Sequence, residues 1–275
     1  LHSCASMAIF IYDDILDKNW KLFRNNPIIV KQVFQRVLEI LQSKYENIDM
    51  ITSLDFPKFM PLCELFFEMR SRIIGKQSDI EQFLIQVKKT YDFVIEDVFN
   101  RSNNLIGISS RKYMDLHKFT FHTYFAIYLG FIIKDINLSS FEDYNVFLKF
   151  LDHGSKASRL IGDIFSFYKD IDEGYQFDNY VLVKQAESNC SLEDALSASV
   201  ALYNEQVVKM YSLKKEMRKD PVYKDDQELS KAVAIIENFV QGVVDWSLET
   251  KRYQSRTTVS VCRKQLGQPD FPLVM

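Results

Sequence analysis

Glycine and proline are scarce, with eight and six in 275 residues, where average usage would give roughly 7% and 5%. A chain so short of turn-formers has little room for repeated hairpins, glycine-rich phosphate loops or the tight strand-to-helix turns of dinucleotide folds. An all-α architecture follows. Cysteine is scarce too: Cys4, Cys63, Cys190 and Cys262 are scattered, with no CxxC pair and no histidine at zinc-finger spacing. That pattern argues against a disulfide framework or a zinc site and predicts a reducing, cytoplasmic setting. The net charge of −3 provides no basic surplus for nucleic acid. The longest apolar run, Phe119 to Ile133, includes His122 and falls short of the roughly 20 residues that span a bilayer. It reads as a core helix, and no membrane partner is expected. The chain begins LHSCASMAIF, without an initiator Met or a signal-peptide layout, so upstream sequence carrying further N-terminal helices is expected.

What the chain does have is apolar bulk. Hydrophobic residues make up 47%, and aromatics 14%, including 22 Phe and 14 Tyr. That is enough for a large core and for a shaped apolar cavity inside it. Val30, Val33, Phe34, Val37, Leu38 and Leu41 recur at the spacing of one helical face, opened by Asn25, Asn26 and Pro27. Further helices are predicted over Met60–Ile74, Ile80–Val98, Tyr113–Lys134 and Phe141–Asp172. Polar residues from Glu173 to Asn179 end the last of these, and a shorter element holds Val181 to Lys184. Ser191 looks like the hydroxyl cap of a helix reaching Met217, and a final helix is expected from Asp226 to Tyr253. No repeat or linker divides the chain, which predicts one domain over 1–275.

Three stretches carry candidate chemistry. In YDDILD, Asp13 and Asp17 lie about 40° apart on one helical face, so both carboxylates can approach one cation. Hard oxygen ligands of this kind suit Mg²⁺; the alternative is a solvated acidic helix end. In IGDIFSFYKD, Ser166, Lys169 and Asp170 share one side of a helix, a hydroxyl, an ammonium and a carboxylate together. Metal ligands beside a fixed cation can cradle a diphosphate. The alternative is a solvated polar face, but Ile164, Phe165, Phe167 and Tyr168 put bulk around the whole turn, and buried polar groups need partners. In KRYQS, Arg252 can fork onto phosphate oxygens and the Tyr253 hydroxyl can add a hydrogen bond, although an Arg near a helix C-terminus also serves the dipole.

In this order, the three stretches resemble class I terpene synthases, and within them the trichodiene synthase family of sesquiterpene cyclases. SFYKD, LVK (Leu182 to Lys184), SLEDAL (Ser191 to Leu196) and RY occur as in that family. The resemblance implies an α-helical barrel around a central apolar cavity, with three Mg²⁺ clamping the diphosphate of a farnesyl substrate. Carried over, it assigns Asp13, Asp17, Ser166 and Asp170 to metal. Lys169, Arg252 and Tyr253 would bind diphosphate oxygens, and the C–O bond would ionise to an allylic cation. Phe10, Tyr12, Phe165 and Trp246 become candidate cavity aromatics, each worth on the order of 0.5 to 2 kcal/mol to a cation, with core packing as the alternative. The partner is a small isoprenyl diphosphate, and a homodimer is left open. A prenyl-chain elongating synthase and a degenerate, non-catalytic relative are the rival readings.

Four departures from the family pattern stand out. Gly162 replaces an Asn that supplies a metal-binding oxygen, and Asp170 replaces a longer Glu. Asp163 is retained, but the diphosphate-sensing Arg expected to pair with it is missing from DLHKF, which leaves His117 or Lys118 for that role. Lys cannot reproduce a bidentate Arg fork. The two metal motifs also stand further apart than the family pattern, implying an insertion between Asn25 and Asn104.

Overall fold

The structure is a computed structural model, and it describes residues 27–42, 60–73, 80–102, 109–120, 123–137, 141, 143–172, 179–250 and 253. Among the described residues every regular element is a helix. In chain order these are α1 (Pro27–Leu41), α2 (Met60–Ile73), α3 (Ile80–Ser102), α4 (Ser110–Thr120), α5 (Thr123–Ile133), α6 (Asn145–Asp172), α7 (Tyr180–Ser188), α8 (Leu192–Met217) and α9 (Gln227–Glu249). The segment expected as one helix from Tyr113 to Lys134 is two, α4 and α5, with residues 121–122 outside the described set. No described helix is long and apolar enough to cross a membrane.

The chain divides into two compact units. The first contains α1, α2, α3 and nearly all of α5. Pro27 opens α1, where its missing N–H costs no hydrogen bond. Of the predicted apolar face, Val33, Phe34, Val37 and Leu41 are buried and Leu38 is half-buried, with Ile40 buried beside them. Aromatic rings knit this unit together. Phe34 stacks on Tyr91 of α3 at 4.2 Å, and Phe125 of α5 meets Phe66 at 5.8 Å and Phe83 at 5.3 Å.

The second unit is organised around α6, whose 28 residues give a rod of about 42 Å. It packs against α4, α7, α8 and α9. Its middle is buried on all sides, with Ala157, Leu160, Ile161, Ile164 and Phe165 at 1% exposure or less. Gly154 lies against α8 and α9. A Cβ there would lie 2.7 Å from Ile236 Cγ2 of α9 and 3.3 Å from Met210 Cε of α8, so the missing side chain lets the helices meet. Capping fixes where the neighbours begin. Asn179, Ser191 and Asp226 each accept a hydrogen bond from the first turn of α7, α8 and α9. Asn189, in the left-handed region at φ 46°, ends α7.

Candidate functional site

The candidate chemistry within the described residues lies in the second half of α6. Ser166 and Asp170 stand one turn apart, and the Ser166 hydroxyl donates to Asp170 Oδ2 at 2.6 Å. Asp170 is 8% exposed, so its carboxylate needs partners. One comes from outside the helix. The Nδ2 of Asn179, a fully buried residue, donates to Asp170 Oδ2 at 2.7 Å and to the Asp163 carbonyl at 2.8 Å, with Ser166 Oγ at 3.2 Å. Lys169 Nζ lies 3.9 Å from Asp170 Oδ1. The structure therefore brings Ser166, Lys169 and Asp170 together, as their spacing predicts, and adds Asn179. Asn179 entered the sequence reading only as the end of a polar stretch. Its signal was an Asn directly before the apolar run YVLV, a helix-cap pattern.

Seven residues before Asp170, Asp163 is the centre of a second buried network. Its Oδ2 accepts from the Tyr113 hydroxyl at 2.9 Å, from Arg159 Nε at 3.2 Å and from the Tyr180 backbone N–H at 3.1 Å. Arg159 Nη2 reaches Oδ1 at 2.9 Å. The Arg159 guanidinium also donates to the Tyr113 hydroxyl, and it lies 5.5 Å over that ring. The arginine fork on Asp163 thus comes from the same helix, one turn earlier. Expected candidates for this role stand differently. His117 stacks on Tyr113 at 4.0 Å, and the Lys118 ammonium donates to Asp152. Asp152 also receives Lys156 at 2.9 Å. Burial raises the Asp152 pKa, but the two ammonium groups outweigh it and hold the carboxyl below its usual range. The Arg159-x-x-x-Asp163 spacing was the available signal, since such pairs face each other on a helix.

Phe165 is 1% exposed in the body of α6. Trp246 is half-buried near the end of α9, and the Tyr253 ring meets it edge-on at 5.4 Å. The final helix ends at Glu249 instead of continuing to Tyr253: Thr250 leaves helical geometry while its N–H closes onto the Trp246 carbonyl. Phe10, Tyr12, Asp13, Asp17 and Arg252 lie outside the described residues.

Ser166 and Asp170 offer hard oxygen donors of the kind Mg²⁺ takes. Among the described residues no group of three or more His, Cys, Asp or Glu side chains gathers as a metal site, so this pair is a partial donor set. Gly162 adds no side-chain oxygen to it. Neither does Asn179, whose Oδ1 accepts from the Val181 N–H at 2.9 Å. What the α6 face can do chemically is hold a divalent cation on two oxygens with an ammonium alongside.

Comparison with known proteins places these features in context. Residues 5–209 match the family described as terpene synthase family 2, C-terminal metal binding. Germacrene A synthase of Nostoc punctiforme is 23% identical over 256 residues, which cover 90% of this chain and 73% of that protein. Among solved structures, linalool/nerolidol synthase of Streptomyces clavuligerus in complex with 2-fluorogeranyl diphosphate superposes with a TM-score of 0.71 at 14% identity. The match covers 90% of this chain and 78% of that one. Germacradien-4-ol synthase of Streptomyces citricolor gives 0.69 at 14% identity, covering 90% and 77%. These likenesses show that the all-helical fold is that of class I terpene synthases.

Proposed function

The chain belongs to terpene synthase family 2, and from that premise we propose that it is a Mg²⁺-dependent sesquiterpene cyclase acting on farnesyl diphosphate as one catalytic domain. The observation that carries the reading is the part-buried Ser166–Asp170 pair on α6, with Lys169 beside it. Likeness to a germacrene A synthase supports a cyclised C15 product. Closer kinship with trichodiene synthases rests on SFYKD, LVK, SLEDAL and RY alone.

In this proposal Asp13 and Asp17 hold metal from the N-terminal segment, and Ser166 and Asp170 hold it from α6. Three ions are expected. Bound metal supplies the positive charge that stabilises the departing diphosphate. Lys169, Arg252 and Tyr253 bind its oxygens, and Lys118 does so by exchanging Asp152 for the ligand. The bond between C1 and the diphosphate oxygen breaks, both electrons leave with the oxygen, and an allylic cation remains. No protein nucleophile is required. Asp163 holds Arg159 and Tyr113 in place behind the pair. Phe10, Tyr12, Phe165 and Trp246 would line the cavity that folds the cation and excludes water, which would otherwise trap it as an alcohol. The scattered cysteines support a cytoplasmic setting for this chemistry.

The test is incubation with Mg²⁺ and geranyl, farnesyl or geranylgeranyl diphosphate, followed by gas chromatography with mass detection and a diphosphate assay. A cyclic C15 hydrocarbon or alcohol with matching diphosphate release is expected from the farnesyl substrate. No volatile product and no diphosphate from any of the three would overturn the proposal. Elongated prenyl diphosphates would instead identify a chain-elongating synthase.

A further inference from the structure

We infer that Asn179 is a positioning residue for the metal-binding carboxylate of Asp170, an inference that rests on the reading of Ser166 and Asp170 as metal ligands. The argument begins with the amide's own inventory. Nδ2 carries two hydrogens, and its two shortest contacts, 2.7 Å to Asp170 Oδ2 and 2.8 Å to the Asp163 carbonyl, use both. Oδ1 is taken by the Val181 N–H at 2.9 Å, the capping bond of α7. The side chain therefore cannot turn an oxygen towards a cation without uncapping α7. Asn179 gives the site a donor, not a ligand.

That donor falls where it matters. Asp170 Oδ2 accepts twice, from Asn179 and from the Ser166 hydroxyl at 2.6 Å. Two bonds to one oxygen fix the carboxylate plane, and with it the direction of Oδ1. Because Asp is one methylene shorter than Glu, its carboxylate has less reach with which to correct its own position. Gly162 contributes no oxygen one turn before Ser166, so the geometry of the remaining pair carries more of the metal affinity. Asn179 is fully buried and arrives from beyond α6, which makes the hold independent of the helix that bears the ligands. Hydrogen bonds of this kind to a ligating carboxylate are typically worth about 10- to 100-fold in metal affinity.

One variant separates this role from capping. Asn179→Ser keeps an oxygen able to cap α7 and loses the amide donor. Full-length protein is titrated with Mg²⁺ in the presence of inorganic diphosphate, and the rise in melting temperature is followed without substrate or turnover. The expected result is a Mg²⁺ midpoint raised about 10-fold or more in Asn179→Ser, which loses the amide donor and adds no charge. Melting without Mg²⁺ is recorded as the variant's own baseline, because loss of the two Nδ2 bonds lowers stability by itself. A wild-type midpoint in Asn179→Ser would overturn the role assigned to Asn179 while leaving the proposed function standing. Absence of any Mg²⁺-dependent shift in the wild type would overturn both.

Discussion

Replacing Arg159 by Met removes the guanidinium from the Asp163 network while keeping most of the side-chain stem that packs along α6. Arg159 is 8% exposed, and the Asp163 side chain is 4% exposed. The substitution removes the contacts to Asp163 Oδ1 at 2.9 Å and Oδ2 at 3.2 Å and both contacts to the Tyr113 hydroxyl. Asp163 would keep two neutral donors, Tyr113 and the Tyr180 N–H, but lose the charge that balances it. Breaking a buried pair from one side costs about 3–5 kcal/mol. With two donors left in place, the lower end, about 3 kcal/mol, applies. For a chain of this size that corresponds to a fall in melting temperature of about 6–12 °C. The assay is urea and thermal unfolding by circular dichroism, without Mg²⁺ or substrate, so that ligand binding does not enter. Adding Asp163→Asn removes the stranded charge and keeps an acceptor for both donors. The double variant should regain at least about 1 kcal/mol. A loss below about 1 kcal/mol for Arg159→Met, or no recovery in the double variant, would refute the view that a buried charge pair holds this network.

Other expectations follow from the same geometry. Asp152, held below its usual range by Lys118 and Lys156, contributes stability that is complete above the ordinary carboxylate pKa of 3.8 and is lost as pH falls through the lower folded value. Acid unfolding of Asp152→Asn should lack that component, and identical acid limbs for the two proteins would contradict it. Gly154→Ala forces a methyl to within 2.7 Å of Ile236 Cγ2; overpacking of about 1–3 kcal/mol should exceed the gain of up to about 1 kcal/mol in helix propensity. Urea midpoints check the sign, and a stabilised variant would show that the crossing has slack. Gly162→Asn adds an amide oxygen one turn before Ser166 and should lower the Mg²⁺ concentration for half-maximal activity. An unchanged requirement would mean that Gly162 leaves no gap in the donor set.

Where periodicity and capping speak, the sequence was readable. The face Val33, Phe34, Val37 and Leu41 is buried as its spacing demands, and Ser191 caps α8 through the Asp194 N–H at 3.1 Å. The convergence of Ser166, Lys169 and Asp170 needed only the pitch of one helix. Asn179 was not legible in the same way. Its link to Asp170 joins the start of one helix to the end of another, and nothing in the spacing of apolar residues encodes such a meeting. Arg159 was hidden differently. Its spacing to Asp163 is local and plain, but family resemblance placed the partner far upstream, in the region where Tyr113 turns out to supply a hydroxyl. The acids of YDDILD rest on sequence alone.

Asn179 and Tyr180 are consecutive, yet one addresses Asp170 and the other Asp163. Asp163 and Asp170 of α6 are therefore tethered to a single point of the chain. A shift of one residue there would release both tethers at once. The cation-holding end of α6 and its arginine-bearing middle cannot be tuned independently from this side, so redesign of either must begin from the α7 start as a fixed joint.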